Sequence, residues 1–230
     1  NFIWMLNDNA KLMKDKYQMG LEIKHAELKA LQAQINPHFL YNTLELINWK
    51  ARNYEAEVVD ELITLLARFY KLGLSQGKDV ISIKDEIEHV KTYIEIQNKR
   101  FMDGIKLRVE VEEEVLKYTI PKLILQPIVE NAIIHGILEK TEESGSITIE
   151  AKKQGEIIIL EVNDDGKGMT KEQIDILMGT KLVTEKNGYG ISNVIDRIRL
   201  YYGEEYGLSY ESEIGRGTKA RIIFPAKLDY

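Results

Sequence analysis

The chain has 230 residues, room for one good-sized domain and a smaller one at about 150 residues per domain. Its 44% apolar and 30% charged residues fit an ordinary globular protein, and a formal charge of −6 gives no basic footprint, so nucleic acid is not an expected partner. There is no cysteine, which excludes disulfides, thiolate metal sites and cysteine nucleophiles.

The sequence starts at Asn1 and reads as a piece of something longer. No run approaches the about 20 apolar residues that span a bilayer. The opening Phe2-Ile3-Trp4-Met5-Leu6 reads either as the tail of a membrane-proximal module or as the first turn of a helix. From Leu6 to Ile35 there is no proline and only Gly20, among many strong helix formers. Leu21, Leu28 and Ile35 recur every seven residues, a short coiled-coil signature that Lys24 interrupts. Asn36-Pro37 then starts a fresh helix, Asn as cap and Pro at its first position, with His38 in the first turn.

A second helix is predicted from Ala56 to Leu74, with Leu62, Ile63, Leu66 and Phe69 on one broad face. Two helices joined by Arg52-Asn53-Tyr54-Glu55 make a hairpin that cannot bury both stripes alone, so a four-helix bundle formed by a homodimer is expected. Ser75–Asp79 reads as a linker, and Ser82 with Asp85 and Glu86 starts a helix to about Phe101. A strand over Ile105–Val111, a helix from Pro121 to about Ile137, and a hairpin of Ser146–Lys152 with Glu156–Val162 follow. A short helix after Met169, a longer one from Gly190 to Tyr202, and strands at Leu208–Ser212 and Thr218–Phe224 complete the chain. The fold class is α+β: a coiled coil and dimeric helical hairpin over 1–77, then an α/β sandwich over 78–230.

Four segments of the second part suggest a nucleotide site. Val162-Asn163-Asp164-Asp165-Gly166-Lys167-Gly168-Met169 ends a strand in an acidic, glycine-rich turn. A carboxylate there can accept a hydrogen bond from an exocyclic amine such as adenine's, and the glycines admit a flat ligand. Such a turn by itself is usually only a turn. Gln126-Pro127-Ile128-Val129-Glu130-Asn131-Ala132-Ile133-Ile134-His135-Gly136 places Asn131 and His135 one turn apart in an apolar helix, and an amide oxygen suits Mg²⁺. Gly188-Tyr189-Gly190-Ile191-Ser192-Asn193 opens a helix whose first amides can cradle phosphates. Gly215-Arg216-Gly217-Thr218 is a second glycine turn that enters a strand.

In this order and spacing the segments resemble the N, G1, G2 and G3 boxes of the GHKL ATP-binding fold, which gyrase, Hsp90, MutL and the histidine kinases share. The resemblance implies ATP and Mg²⁺ as cofactors, Asp164 on the adenine amine and Asn131 on the metal, with Thr170–Asn187 as a lid over ATP. It also draws His135, Gly166, Gly168, Gly188, Gly190, Asn193, Gly217 and Thr218 into the ATP site. Of the lid lysines Lys171, Lys181 and Lys186, any can reach phosphates, and Lys181 is carried forward as a site residue.

The segment from Glu27 to Glu45, centred on Asn36-Pro37-His38-Phe39, is similar to the acceptor box of LytS/YesM-type sensor histidine kinases. Imidazole, with an ordinary pKa of about 6.5, keeps a ring nitrogen available as a nucleophile near neutral pH. His25 and His89 lack that context and read as core or surface residues. The commoner histidine kinases carry an acidic residue just after the histidine, whereas this chain has Phe39. The base is left open between Glu45, two turns along the helix, and Glu130 of the ATP domain. Asn42, one turn after His38, matches the position that orients water for dephosphorylating the regulator.

The resemblance implies autophosphorylation on His38 and transfer to an aspartate of a response-regulator receiver domain. It also implies a homodimer anchored to the cytoplasmic side of the bacterial membrane through upstream segments. Two rivals stand beside it. A gyrase-type ATPase would carry a water-activating Glu one turn before Asn131, where this chain has Pro127. A signalling scaffold without catalysis would not need Asp164, Asn131, Gly188 and Gly190 intact.

Overall fold

The computed structural model describes residues 37–75, 78–142, 144–179 and 189–228. The expected coiled coil with His25, and the site candidates Lys181, Lys186 and Gly188, lie outside the described residues. Backbone contacts divide the chain into two units, Asn1–Asn48 and Trp49–Tyr230.

In the first unit helix α1 is described over Pro37–Arg52 and runs on into the second unit. Phe39 and Thr43 are buried, and the Thr43 hydroxyl donates back to the Phe39 carbonyl at 2.8 Å. His38, Tyr41, Leu44 and Glu45 are exposed.

The second unit opens on a turn closed by the Lys50–Glu55 ion pair at 2.8 Å. Helix α2 (Ala56–Leu74) buries Leu62, Leu65 and Phe69, one helical stripe. It stops at Ser75, whose left-handed backbone returns its N–H to the Leu72 and Lys71 carbonyls. Strand β1 (Val80–Ser82) leads into α3 (Ile83–Arg100), capped by Ser82, which accepts the Asp85 N–H at 3.0 Å. The α2–α3 contact is centred on Phe69, stacked on His89 at 4.4 Å, and edged by the Arg68–Glu88 and Glu61–Lys99 pairs. His89 is a core residue, as its sequence context suggests; burial takes its pKa down to about 4, so the ring is neutral.

Strands β2 (Ile105–Val111), β3 (Thr119–Pro121), β4 (Gly145–Gln154), β5 (Ile157–Asp164), β6 (Gly207–Glu213) and β7 (Gly217–Pro225) follow in chain order. Five of them form a mixed sheet in the order β2-β4-β5-β7-β6, with β2 parallel to β4 and the other neighbours antiparallel. The expected hairpin turns at Gly155. Alternate residues such as Ile147, Ile149, Ile158, Leu160, Ile222 and Phe224 are buried on one face, each worth about 1.5–3 kcal/mol of transfer free energy. The opposite face carries a row of Glu110, Glu150, Glu161 and Arg221 in register. Helix α3, the helix over Leu125–Ile137, and α6 (Tyr189–Tyr202) all pack against sheet strands, two layers as expected.

The helix expected from Pro121 to Ile137 is a correction. Thr119–Pro121 pairs with β1 as β3, and the helix starts only at Leu125. Pro121 tolerates the end of a two-stranded ladder, and Leu123, at φ 59, breaks the backbone between strand and helix. From there α4 (Leu125–Asn131) passes into a π-helical turn (Ala132–Ile137), in which the Leu138 N–H reaches back to the Ile133 carbonyl at 2.9 Å. Such turns cluster at functional sites. Helix α5 (Lys171–Leu177) is the predicted short helix, held by a reciprocal cap between Thr170 and Gln173.

Candidate functional site

A cavity of about 600 Å³ opens between α4 with its π turn, the β5–α5 turn, the start of α6, and β7. Its walls include Ile128, Ala132, Val162, Met169, Ile191 and Ala220, apolar surface that suits a flat ring. Asp164, at the end of β5, faces into it. Burial pushes its carboxyl up to about 6, against the Gly166 and Thr218 amides that favour the charged form; the Gly166 N–H lies 2.8 Å from Oδ1. Neighbouring Asp165 points away from the cavity. Burial pushes it up too, but the Ser146 hydroxyl at 2.7 Å, the Ser146 amide at 2.9 Å and Lys140 outweigh this and hold it below the carboxylate range. Two adjacent acids are thereby set apart, one as the cavity's acceptor and one as a fastener.

The glycines of the turn are there for close approach. A Cβ on Gly166 would lie 2.5 Å from backbone atoms of Gly136, so the β5–α5 turn and the π turn touch main chain to main chain. Gly168 has φ +73 and lines the cavity. Gly217, at φ +99, opens β7 directly against the Asp164 carbonyl. Thr218 lines the cavity, and its hydroxyl shares a 2.9 Å hydrogen bond with Ser212, which also accepts the Met169 N–H at 2.8 Å. That chain of hydroxyls ties the Asp164 end of the cavity to the root of α5.

Asn131 and His135 also line the cavity, the amide half-buried and the imidazole exposed. The Asn131 side chain makes no hydrogen bond among the described residues, so its oxygen is available to a ligand. The His135 Nδ1 lies 3.0 Å from Glu139, whose other oxygen is paired with Lys167. Lys167 first and His135 second hold the Glu139 carboxyl below its usual range. Gly190, next to the first described residue of α6, lines the cavity.

Among the sequence candidates, Asn131, His135, Asp164, Gly168, Gly190 and Thr218 line one cavity, with Gly166 and Gly217 supporting Asp164. Asn193 is exposed on α6 and Glu130 is half-buried on α4, and neither lines it. Glu130 instead acts on Tyr93 of α3, whose hydroxyl is pushed up by burial first and by this charge second. Lys171 is exposed at the start of α5. Gly136, Glu139 and Lys167 were not among the candidates, although Ile128, Asn131, Ala132, His135 and Glu139 form a three-and-four stripe readable in the sequence. In the first unit, the Asn42 amide nitrogen lies 3.3 Å from Nδ1 and 3.2 Å from Nε2 of His38. Glu45 shares no hydrogen bond with His38 among the described residues.

Residues 26–105 match the family described as histidine kinase, and 117–228 match that of histidine kinase-, DNA gyrase B- and HSP90-like ATPases. Sensor histidine kinase YesM of Bacillus subtilis (strain 168) is 37% identical over 227 residues, 99% of this chain and 38% of that protein. Sensor histidine kinase BtsS of Escherichia coli (strain K12) is 30% identical over 94% of this chain and 36% of its own length. Sensor protein LytS of Bacillus anthracis is 31% identical over 90% of this chain and 35% of its own. The chain spans just over a third of the length of these curated relatives. The solved catalytic domain of histidine kinase ThkA superposes with a TM-score of 0.51 at 19% identity, covering 64% of this chain and 95% of that one, a likeness of fold. With a histidine-kinase match over its helices and an ATPase match over its sheet, in the order its motifs suggest, the chain belongs to the sensor histidine kinases, among relatives that include YesM and LytS.

Proposed function

We propose that this chain is the kinase portion of a two-component sensor, which moves the ATP γ-phosphoryl group to His38 and then to an aspartate of a response-regulator receiver domain. The observation that carries the reading is the cavity itself: a half-buried acceptor, Asp164, at an apolar slot, lined also by Asn131, whose side chain has no hydrogen-bond partner among the described residues. The slot suits adenine, and the Asp164 carboxylate accepts its exocyclic N–H. Mg²⁺ needs oxygen ligands and keeps several waters, so one protein amide beside substrate phosphates is enough. No cluster of three acidic or histidine side chains among the described residues offers a closed metal cage, and Asn131 fits this open arrangement. Bound there, the metal supplies charge neutralisation on the phosphates.

His38 is exposed and can meet a docked nucleotide or a receiver domain. The Asn42 amide nitrogen lies about equally far from both ring nitrogens of His38 and can donate to whichever is unprotonated. Asn42 serves the regulator phosphatase reaction by holding a water. Glu45 and Glu130 remain the two candidates for the base. Hydrolysis to water is disfavoured: Pro127 occupies the position a water-activating Glu would take, and both Glu139 oxygens are engaged by His135 and Lys167.

Residues 1–77 act as signalling helix and phosphotransfer hairpin, and 78–230 as the ATP domain. The exposed Tyr41, Leu44 and Ile63 support pairing with a second copy into a four-helix bundle. No described helix is long and apolar enough to cross a membrane, and anchoring falls to upstream segments on the cytoplasmic side. The test is phosphotransfer. Chain labelled from γ-³²P-ATP is mixed with a purified receiver domain; label moving to that domain's aspartate supports the reading, and label that never leaves the chain for any receiver domain of the source organism contradicts it.

A further inference from the structure

The helix that presents Asn131 starts inside the protein, where its first amides cannot reach water. Glu86 of α3, 1% exposed, takes the first helical amide, that of Leu125, and the two amides just before it. Oε1 accepts the Ile124 N–H at 2.7 Å and the Leu125 N–H at 2.8 Å, and Oε2 accepts the Leu123 N–H at 2.9 Å. The left-handed bend at Leu123 presents these successive amides to one carboxylate. Arg197 of α6 supplies opposing charge to Glu86 and donates to the Lys122 carbonyl at 2.5 Å. One buried carboxylate and one guanidinium therefore join α3, the loop before α4, and α6.

We propose that Glu86 is a positioning residue for metal–nucleotide binding, setting the height and rotation of the helix that offers Asn131 to the cavity. This rests on Asn131 serving the metal–phosphate end. Asn131 lies less than two turns beyond Leu125, and a rotation by one residue, about 100°, would carry its amide off the wall. Farther along, the Gly136 main chain is wedged against Gly166, so a small error at the helix start has no slack to absorb it. Stability is a poor reason for a carboxylate here. Desolvating the charge opposes folding, and well-packed apolar residues serve as well or better in such places. Fixed geometry at three amides is what an apolar residue does not supply.

The test uses the whole chain and three readouts: melting temperature, hydrogen exchange over 122–131, and the Mg²⁺ concentration that half-saturates binding of a fluorescent ATP analogue. Glu86→Gln keeps the shape and one acceptor oxygen but turns a donor toward the Leu123 amide. Exchange over 122–131 should quicken, and the Mg²⁺ requirement should rise about fivefold, the worth of roughly one lost hydrogen bond. Phe224→Leu, an ordinary core change on β7, controls for lost stability and should leave the Mg²⁺ requirement unchanged. Faster exchange in Glu86→Gln with a normal Mg²⁺ requirement, or an equal rise in Phe224→Leu, overturns the positioning role. Asn131→Ala separates the two layers. If it binds Mg²⁺–nucleotide normally, the assignment of Asn131 fails and the proposal with it; if it is impaired while Glu86→Gln is normal, only the role of Glu86 fails.

Discussion

The adenine assignment makes nucleotide affinity depend on pH through one residue, Asp164. Burial holds this carboxyl at about 6, so a proton competes with the ligand's amine for the carboxylate. With that value, about 90% of the sites are ionised at pH 7 and about 10% at pH 5, so affinity should fall about tenfold, or about 1.4 kcal/mol. Adenosine is the ligand of choice, because it carries no phosphate that titrates in this range. Asp164→Asn should bind adenosine about ten- to a hundredfold more weakly than wild type at pH 7 and show no such slope, since a charge-assisted hydrogen bond is worth roughly 1.5–3 kcal/mol. Calorimetry between pH 5 and 7.5 checks both. Wild-type affinity that stays flat across this window, or a variant that binds like wild type at pH 7, refutes the reasoning.

Stability should respond to pH with opposite signs at two sites. The Asp164 pKa is raised, so its contribution to stability is full below the unfolded value and lost as pH rises through about 6. The His89 pKa is lowered to about 4, so its contribution is full above the unfolded value of about 6.5 and lost as pH falls toward 4. Asp164→Asn should therefore melt above wild type at pH 8, and His89→Leu should flatten the acid side of the curve; thermal melts at pH 4.5, 6 and 8 decide. Gly166→Ala should cost roughly 2 kcal/mol or more in denaturant titration and abolish adenosine binding, because its Cβ falls 2.5 Å from the Gly136 main chain. Asn42→Ala removes only the donor beside His38, so labelling from ATP should persist while phosphorylated regulator decays more slowly in its presence. Equal decay rates with wild type and variant would remove Asn42 from that reaction.

Much of this was legible because the signals are local. Ser82 marks a helix start by its own chemistry, and α2 follows from a stripe that repeats within its own turns. Glycines 166, 168 and 217 stand out because only glycine tolerates their contacts or dihedrals. What stayed hidden depends on partners far along the chain. The helix start at Leu125 is set by Glu86, about forty residues earlier, and no local pattern around Pro121 records that carboxylate. Strand β3 is three residues long and exists only because β1 lies beside it. The Glu139–Lys167 pair and the Ser212–Thr218 hydroxyl contact also join separate segments, as do the different environments of Asp164 and Asp165, which sequence presents as equivalent neighbours.

The central claim is that ATP held at Asp164 and Asn131 phosphorylates His38. The direct measurement is incubation of the chain with γ-³²P-ATP and Mg²⁺, followed by acid and base treatment of the labelled protein, alongside His38→Gln and Asp164→Asn. Wild type should take up label that is lost in acid and kept in base. His38→Gln should bind nucleotide normally yet take up none, and Asp164→Asn should label slowly because it binds weakly. Label retained by His38→Gln at the wild-type level, or free phosphate released by wild type with no protein label at all, would contradict the account.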